Sequence, residues 1–242
     1  MDHEQRVAGV ARELSDLNEA VAAGPVSAPV PTCPDWTVAD LAAHVGGFCS
    51  FWAHVVCDGN GNPKAKYADP PADQAVVPWL AALGAELVAQ LEVTPGATPV
   101  WTWFEADQTA GFVARRAVNE LAIHRFDAQS ARGTGAPVEA ALAIDGIDET
   151  FDALVTRRPR TGGATGQTMH LHGTDDGIEA EWFVTLLPDR IDVTRTHAKG
   201  DLALRGAVSD LELLLFRRPT LGEVQRFGDD RVLDAWYREF MF

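Results

Sequence analysis

The 242-residue chain has no run of about 18 apolar residues, so no transmembrane helix is expected from it. Its first residues, Met1-Asp2-His3-Glu4-Gln5-Arg6, are charged and lack the apolar core of a signal peptide. Cysteine is scarce and odd in number: Cys33, Cys49 and Cys57. Their spacing matches neither a zinc ribbon nor a CxxC redox pair, and three thiols fit a reducing cytoplasm better than a disulfide framework. Basic side chains are in deficit, 20 against 35 acidic ones, for a net charge of -15. A surface this acidic repels phosphate backbones and argues against nucleic-acid partners. Internal repeats and low-complexity tracts are lacking too.

What is present is 46% hydrophobic and 23% charged, the profile of a globular protein long enough for one large domain or two small ones. Apolar residues at spacings of three and four predict a helix over 2–23, stopped by Ala23-Gly24-Pro25. Four prolines make 24–36 an extended connector. Thr37, with Asp40 three residues on, resembles a capping box, and Leu41, Val45, Phe48, Trp52 and Val55 continue from it as a second helical stripe. A loop is expected over 58–71, a third helix over 72–92 and a fourth over 108–132. The fourth carries Val113, Ala117, Glu120, His124 and Asp127 on one stripe. Four such helices with two long crossovers suggest a four-helix bundle.

A fifth helix is expected over 139–156 and a linker over 157–166, after which the pattern changes. Strand-like stretches at 168–172, 181–186, 190–194 and 201–205, with helices at 208–217 and 232–240, predict a small α+β domain. The expected organisation is therefore a helical bundle over 1–158 and a C-terminal α+β domain over 159–242. The charge divides unevenly between them, -11 over 1–159 and -4 over 160–242.

Chemistry concentrates on the fourth helix. Ionisable groups on a core-facing stripe cost several kcal/mol unless paired or metal-bound. Glu120 and His124 lie about one turn apart on one face, at a spacing that can hold one metal ion. The segment does not match the zincin motif His-Glu-x-x-His, so Glu120 is a candidate ligand rather than a metalloprotease base. A third ligand must come from another helix, and His44, bordering the second stripe, is the best candidate. His54 points elsewhere. His170 and His172 share one face of a strand, where a structural or substrate-facing role is favoured over metal; His3 and His197 have no supporting context.

Two stretches resemble a known family. Cys33-Pro34-Asp35-Trp36-Thr37-Val38-Ala39-Asp40-Leu41-Ala42-Ala43-His44 is similar to the signature opening the second helix of the mycothiol-dependent maleylpyruvate isomerase family, a DinB-like branch. Asn119 through Asp127 resembles its second metal segment, with Phe126 where the family often has Trp. His170–Asp175 and Gly206–Leu211 resemble its C-terminal domain, which is similar to sterol-carrier-type folds.

The resemblance implies a divalent metal, usually zinc (Zn2+), held by His44, Glu120 and His124, and it implies that His170 and His172 are not ligands. It also implies a low-molecular-weight thiol, mycothiol, as cofactor or cosubstrate, acting on a small electrophile. Two neutral imidazoles and one carboxylate leave an open position on zinc, where a thiol is deprotonated near neutral pH. The thiolate then adds to a cis double bond and leaves after rotation, or is transferred to an electrophile. Isomerase and S-transferase are both open at this point. So are a hydrolase using metal-bound water and a non-enzymatic protein holding an apolar ligand in its C-terminal half.

Asp127 is expected to orient a ligand imidazole or to pair with an arginine. Carboxylates of an acidic substrate need cations, for which Arg205, Arg217, Arg218 and Arg116 or Arg125 are candidates, Arg205 being the preferred one in the C-terminal half. Trp36, Trp52, Trp101 and Trp103 are expected as bundle core or pocket walls, with core preferred. A cytoplasmic monomer or small homo-oligomer with no membrane partner completes the expectation.

Overall fold

The computed structural model describes residues 1–59, 69–157 and 163–240. Most of the expected loop at 58–71 and half of the expected linker at 157–166 thus lie outside the described residues. The chain divides into two compact units, Met1–Ala136 and Pro137–Phe242.

The first unit contains helices α1 (His3–Ala22), α2 (Val38–Asp58), α3 (Val76–Val93) and α4 (Ala110–Ser130). Helix α1 packs on α4 and α3, and α2 packs on α3 and α4. Leu14, Leu17, Leu41, Val45, Leu80, Leu87, Val113 and Leu121 meet in the core with little or no exposed surface. The seam between α2 and α3 is close because Gly46 has no side chain: a Cβ there would come within 2.1 Å of the Trp79 ring. With its short 3-10 lead-in, α3 is long and apolar enough to cross a membrane by length and composition. Here its stripe of Leu80, Leu87 and Leu91 is buried.

Helices α2 and α4 begin alike. An antiparallel bridge pairs Pro29 with Thr37 before α2, and another pairs Pro99 with Thr109 before α4. Each threonine then becomes the N-cap of its helix, accepting from the backbone N–H of Asp40 or Phe112. Asp40 returns the contact to the Thr37 N–H at 2.8 Å, closing the expected capping box. The cap oxygens satisfy N–H groups that a helix start would leave bare.

Helix α4 is central. Nearly every residue from Ala110 to Ala128 is buried, so its charged groups need internal partners. Arg125 is buried and donates to Glu13 of α1 at 2.8 Å, to Gln129 at 2.7 Å and to the Ala136 carbonyl at 2.9 Å. Arg132 reaches the C-terminal end of α1, donating to the carbonyls of Ala20 and Val21 at 2.9 and 3.0 Å. A cation is favourable there against the helix dipole.

The second unit contains α5 (Ala140–Asp152), β1 (Gln167–Gly173), β2 (Glu181–Leu186), β3 (Ile191–Thr194), β4 (Leu202–Gly206), α6 (Val208–Leu215), β5 (Gln225–Gly228) and α7 (Arg231–Glu239). The sheet order is β3-β2-β1-β4-β5. Strands β1 and β4 run parallel, and the other neighbours are antiparallel. Met169, Leu171, Trp182, Val184, Leu186, Leu202 and Leu204 are buried, at alternate positions along their strands. Helix α6 packs on β1 and β4, and α7 packs on β1. The alternation leaves His170, His172, Glu181 and Arg205 on the opposite face.

Two expectations change. Residues 137–157, expected with the bundle, fall in the second unit. There α5 packs on α6, and Asp148 accepts from the Trp182 indole of β2 at 2.8 Å. The apolar stripe of α5 reads as helix in any environment, and it is the partner that decides the unit. Strand β5 was not expected: Gln225-Arg226-Phe227-Gly228 is exposed throughout and becomes a strand by pairing with β4.

Candidate metal centre

His44 sits in the second turn of α2, and Glu120 and His124 sit one turn apart on α4. Their donor atoms converge. Nε2 of His44 lies 3.1 Å from Oε1 of Glu120, and Nε2 of His124 lies 3.3 Å from the same oxygen. The imidazole centroids are 4.8 Å apart and close to perpendicular. Zinc bonds of about 2.0–2.1 Å in a tetrahedral arrangement separate ligand atoms by roughly 3.3 Å, so the donor set fits a single divalent ion of that size.

The neighbours fix these donors. Asp127, with no exposed surface, lies 2.9 Å from Nδ1 of His124 through its Oδ2. A proton on Nδ1 leaves Nε2 with its lone pair facing Glu120, the arrangement common to metal-bound histidine. The Cys33 thiol donates to the same carboxylate oxygen at 3.4 Å. Arg116, buried on α4, pairs with Oε2 of Glu120 and leaves Oε1 toward the imidazoles.

Trp36 is only partly buried and is a wall of the site rather than core. Its ring lies 5.2 Å from that of His44 and is stacked 6.4 Å from that of His124. Asp35, just before it, takes a φ of 71°, a left-handed conformation that aspartate tolerates better than most residues. Cys33 and Trp36 both stand in the motif that ends at His44, but nothing in their spacing announces the contacts.

Electrostatics favour neutral imidazole at His44. Burial of its inner edge pushes the pKa down to about 4, and the neighbouring His124 and Arg116 push the same way against Asp127. The ring stays accessible at its rim, with 40% of its side-chain surface exposed. Neutral imidazole is the form that ligates metal.

The remaining candidates separate from this centre. His54 is exposed and faces Asp58 at 3.2 Å. His3 contacts the carbonyls of Leu91 and Thr94. Arg125 is held in the buried network with Glu13, Arg217 lies over the Tyr237 ring at 4.9 Å, and Arg218 donates to the Phe216 carbonyl at 2.8 Å. Arg205 is exposed on β4 in the second unit, where it donates to Gln225 at 3.2 Å. Trp52 is buried, as expected for a core residue.

Residues 7–129 match the family model described as the mycothiol maleylpyruvate isomerase N-terminal domain. The chain belongs to this family. Among solved structures it is similar in fold to the mycothiol-dependent maleylpyruvate isomerase, with a TM-score of 0.61, 14% identity and 93% of each chain covered. A histidine-to-alanine variant of that isomerase gives a TM-score of 0.63 at 12% identity, again over 93% of each chain. Among curated proteins, none matches the chain in sequence. The maleylpyruvate isomerase fold thus extends over both units, while the family match itself covers the bundle that holds His44, Glu120 and His124.

Proposed function

We propose that the protein is a zinc-dependent, mycothiol-using isomerase that converts a small cis-unsaturated acid of the maleylpyruvate type to its trans form. The observation that supports this most is the convergence of His44 Nε2 and His124 Nε2 on one oxygen of Glu120. Bound there, zinc would supply Lewis acidity, and the thiol would supply the nucleophile for reversible addition to the double bond.

The chain's own residues prepare that chemistry. His44 stays uncharged at neutral pH and offers a lone pair. Asp127 holds the His124 ring in one tautomer and orientation. Arg116 takes one Glu120 oxygen and leaves the other free. His44, Glu120 and His124 would hold the metal, and with Arg116 nearby a metal-loaded centre would carry a positive charge that favours an anionic ligand. Trp36 covers both imidazoles on one side and limits water there. Asp127 acts through His124, so its role is positioning. Arg205 is a candidate partner for a substrate carboxylate by residue type. The unbridged thiols of Cys33, Cys49 and Cys57 are in keeping with a reducing, cytoplasmic setting.

The test is to incubate metal-loaded protein with maleylpyruvate, with and without mycothiol, and to follow products by mass spectrometry. Cis-to-trans conversion that requires the thiol, and that is lost in His44→Ala and His124→Ala, is the expected result. An accumulating S-conjugate would reassign the chemistry to S-transfer. Turnover without thiol, or turnover indifferent to both substitutions, would overturn the reading.

A further inference from the structure

We propose that His170, His172, Glu181 and His197 form a second binding site for a divalent first-row transition ion such as zinc, within the second unit. The site does not depend on the function proposed for the bundle.

Sheet geometry assembles it. His170 and His172 are two apart on β1 and share a face. The antiparallel register sets Glu181 of β2 directly opposite His172. His197 follows β3 and turns back over the same face. The four residues come from three separate stretches, yet one donor atom from each lies within 4.8 Å of all the others.

One carboxylate oxygen is the focus. Oε1 of Glu181 lies 2.5 Å from Nδ1 of His172, 2.8 Å from Nδ1 of His197 and 3.7 Å from Nε2 of His170. The ring of His170 stands 4.9 Å from that of His197, edge to face.

His170 separates a metal site from a simple cluster of charges. The residue is 5% exposed, and its Nε2 is buried without a hydrogen bond. At 3.7 Å, Glu181 is outside hydrogen-bonding distance of that atom. A buried polar atom left in this state is costly, and native proteins rarely keep one without a purpose. A metal ion among the four donors satisfies it and uses all three imidazoles at once.

The donor set indicates the class of ion. Three imidazoles and one carboxylate suit zinc, cobalt or nickel better than calcium or magnesium, which prefer oxygen. Four protein donors fill a tetrahedral shell, whereas the three donors of the bundle leave a position open. The second site therefore has the character of a structural or regulatory centre. The side chain of His197 is 76% exposed, so the ion can load from solvent without unfolding of the sheet.

Metal-free full-length protein should be titrated with Zn2+ and with Co2+, with stoichiometry measured by equilibrium dialysis and elemental analysis. The wild type is expected to bind one equivalent more than His172→Ala/His197→Ala. His44→Ala/His124→Ala should keep that equivalent, together with its visible Co2+ spectrum. Because His197 is exposed, His197→Ala alone keeps the sheet core intact; it should weaken the same equivalent and change the Co2+ spectrum, with circular dichroism unchanged. Equal stoichiometry and identical spectra in the wild type and the folded His172 and His197 variants would overturn the proposal, whatever the bundle site does.

Discussion

Asp127 holds Nδ1 of His124 at 2.9 Å from one turn further along α4, where the carboxylate is closed to solvent. The contact fixes both the tautomer and the orientation of a ring whose other nitrogen faces Glu120. Removing such an outer partner typically weakens metal binding about 10–100-fold. Asp127→Asn is therefore expected to lower zinc affinity within that range while leaving one equivalent bound at saturation, as read by competition with a chromogenic chelator. Unchanged affinity would mean that the carboxylate serves only the fold.

Arg116 and Glu120 form an ion pair one turn apart, with Arg116 buried. Without metal, the guanidinium is a cationic partner of Glu120. Arg116→Met retains bulk but leaves a partly buried carboxylate short of a partner, expected to cost the metal-free protein about 1–3 kcal/mol. Zinc bound at Glu120 would replace the lost charge. The rise in Tm on adding zinc should therefore be larger in Arg116→Met than in the wild type; equal shifts would argue against metal binding beside Glu120.

His44 makes the stability of the metal-free protein depend on pH. Its pKa is about 4 in the fold against an ordinary 6.5. Between those values the unfolded chain binds more protons than the folded one, so stability falls as pH drops from 6.5 toward 4 and is fully present above 6.5. The part-exposed ring keeps the slope shallow. His44→Asn should show a smaller decline over this window in urea-midpoint measurements at successive pH values. Parallel curves for the two proteins would contradict the burial argument.

Much of the bundle was legible because its signals are local. The stripe from Leu41 to Val55 and the Thr37–Asp40 box depend on neighbours three or four residues away, and both are found in the structure. The stripe on α4 was less informative than it looked. That helix is buried almost all round, and Glu120 is among its few residues that reach the surface. For Trp36, core was preferred over pocket wall because aromatic residues usually are core, and the structure places it beside the site. Its position against two imidazoles depends on how α2 and α4 bring His44 and His124 together. Strand β5 escaped notice because its four exposed residues have no apolar alternation.

By itself the sequence determined the helices, the alternation of the sheet, the i, i+4 relation of Glu120 to His124 and the resemblance to the isomerase family. All of these rest on short-range periodicity and motif. Only the tertiary structure decided which groups meet: His44 with Glu120 across two helices, Asp127 with Cys33, α5 with α6, and Glu181 and His197 with the histidines of β1. Such meetings depend on helix packing and strand register, where a shift of one residue turns a side chain to the other face, and no local pattern encodes them.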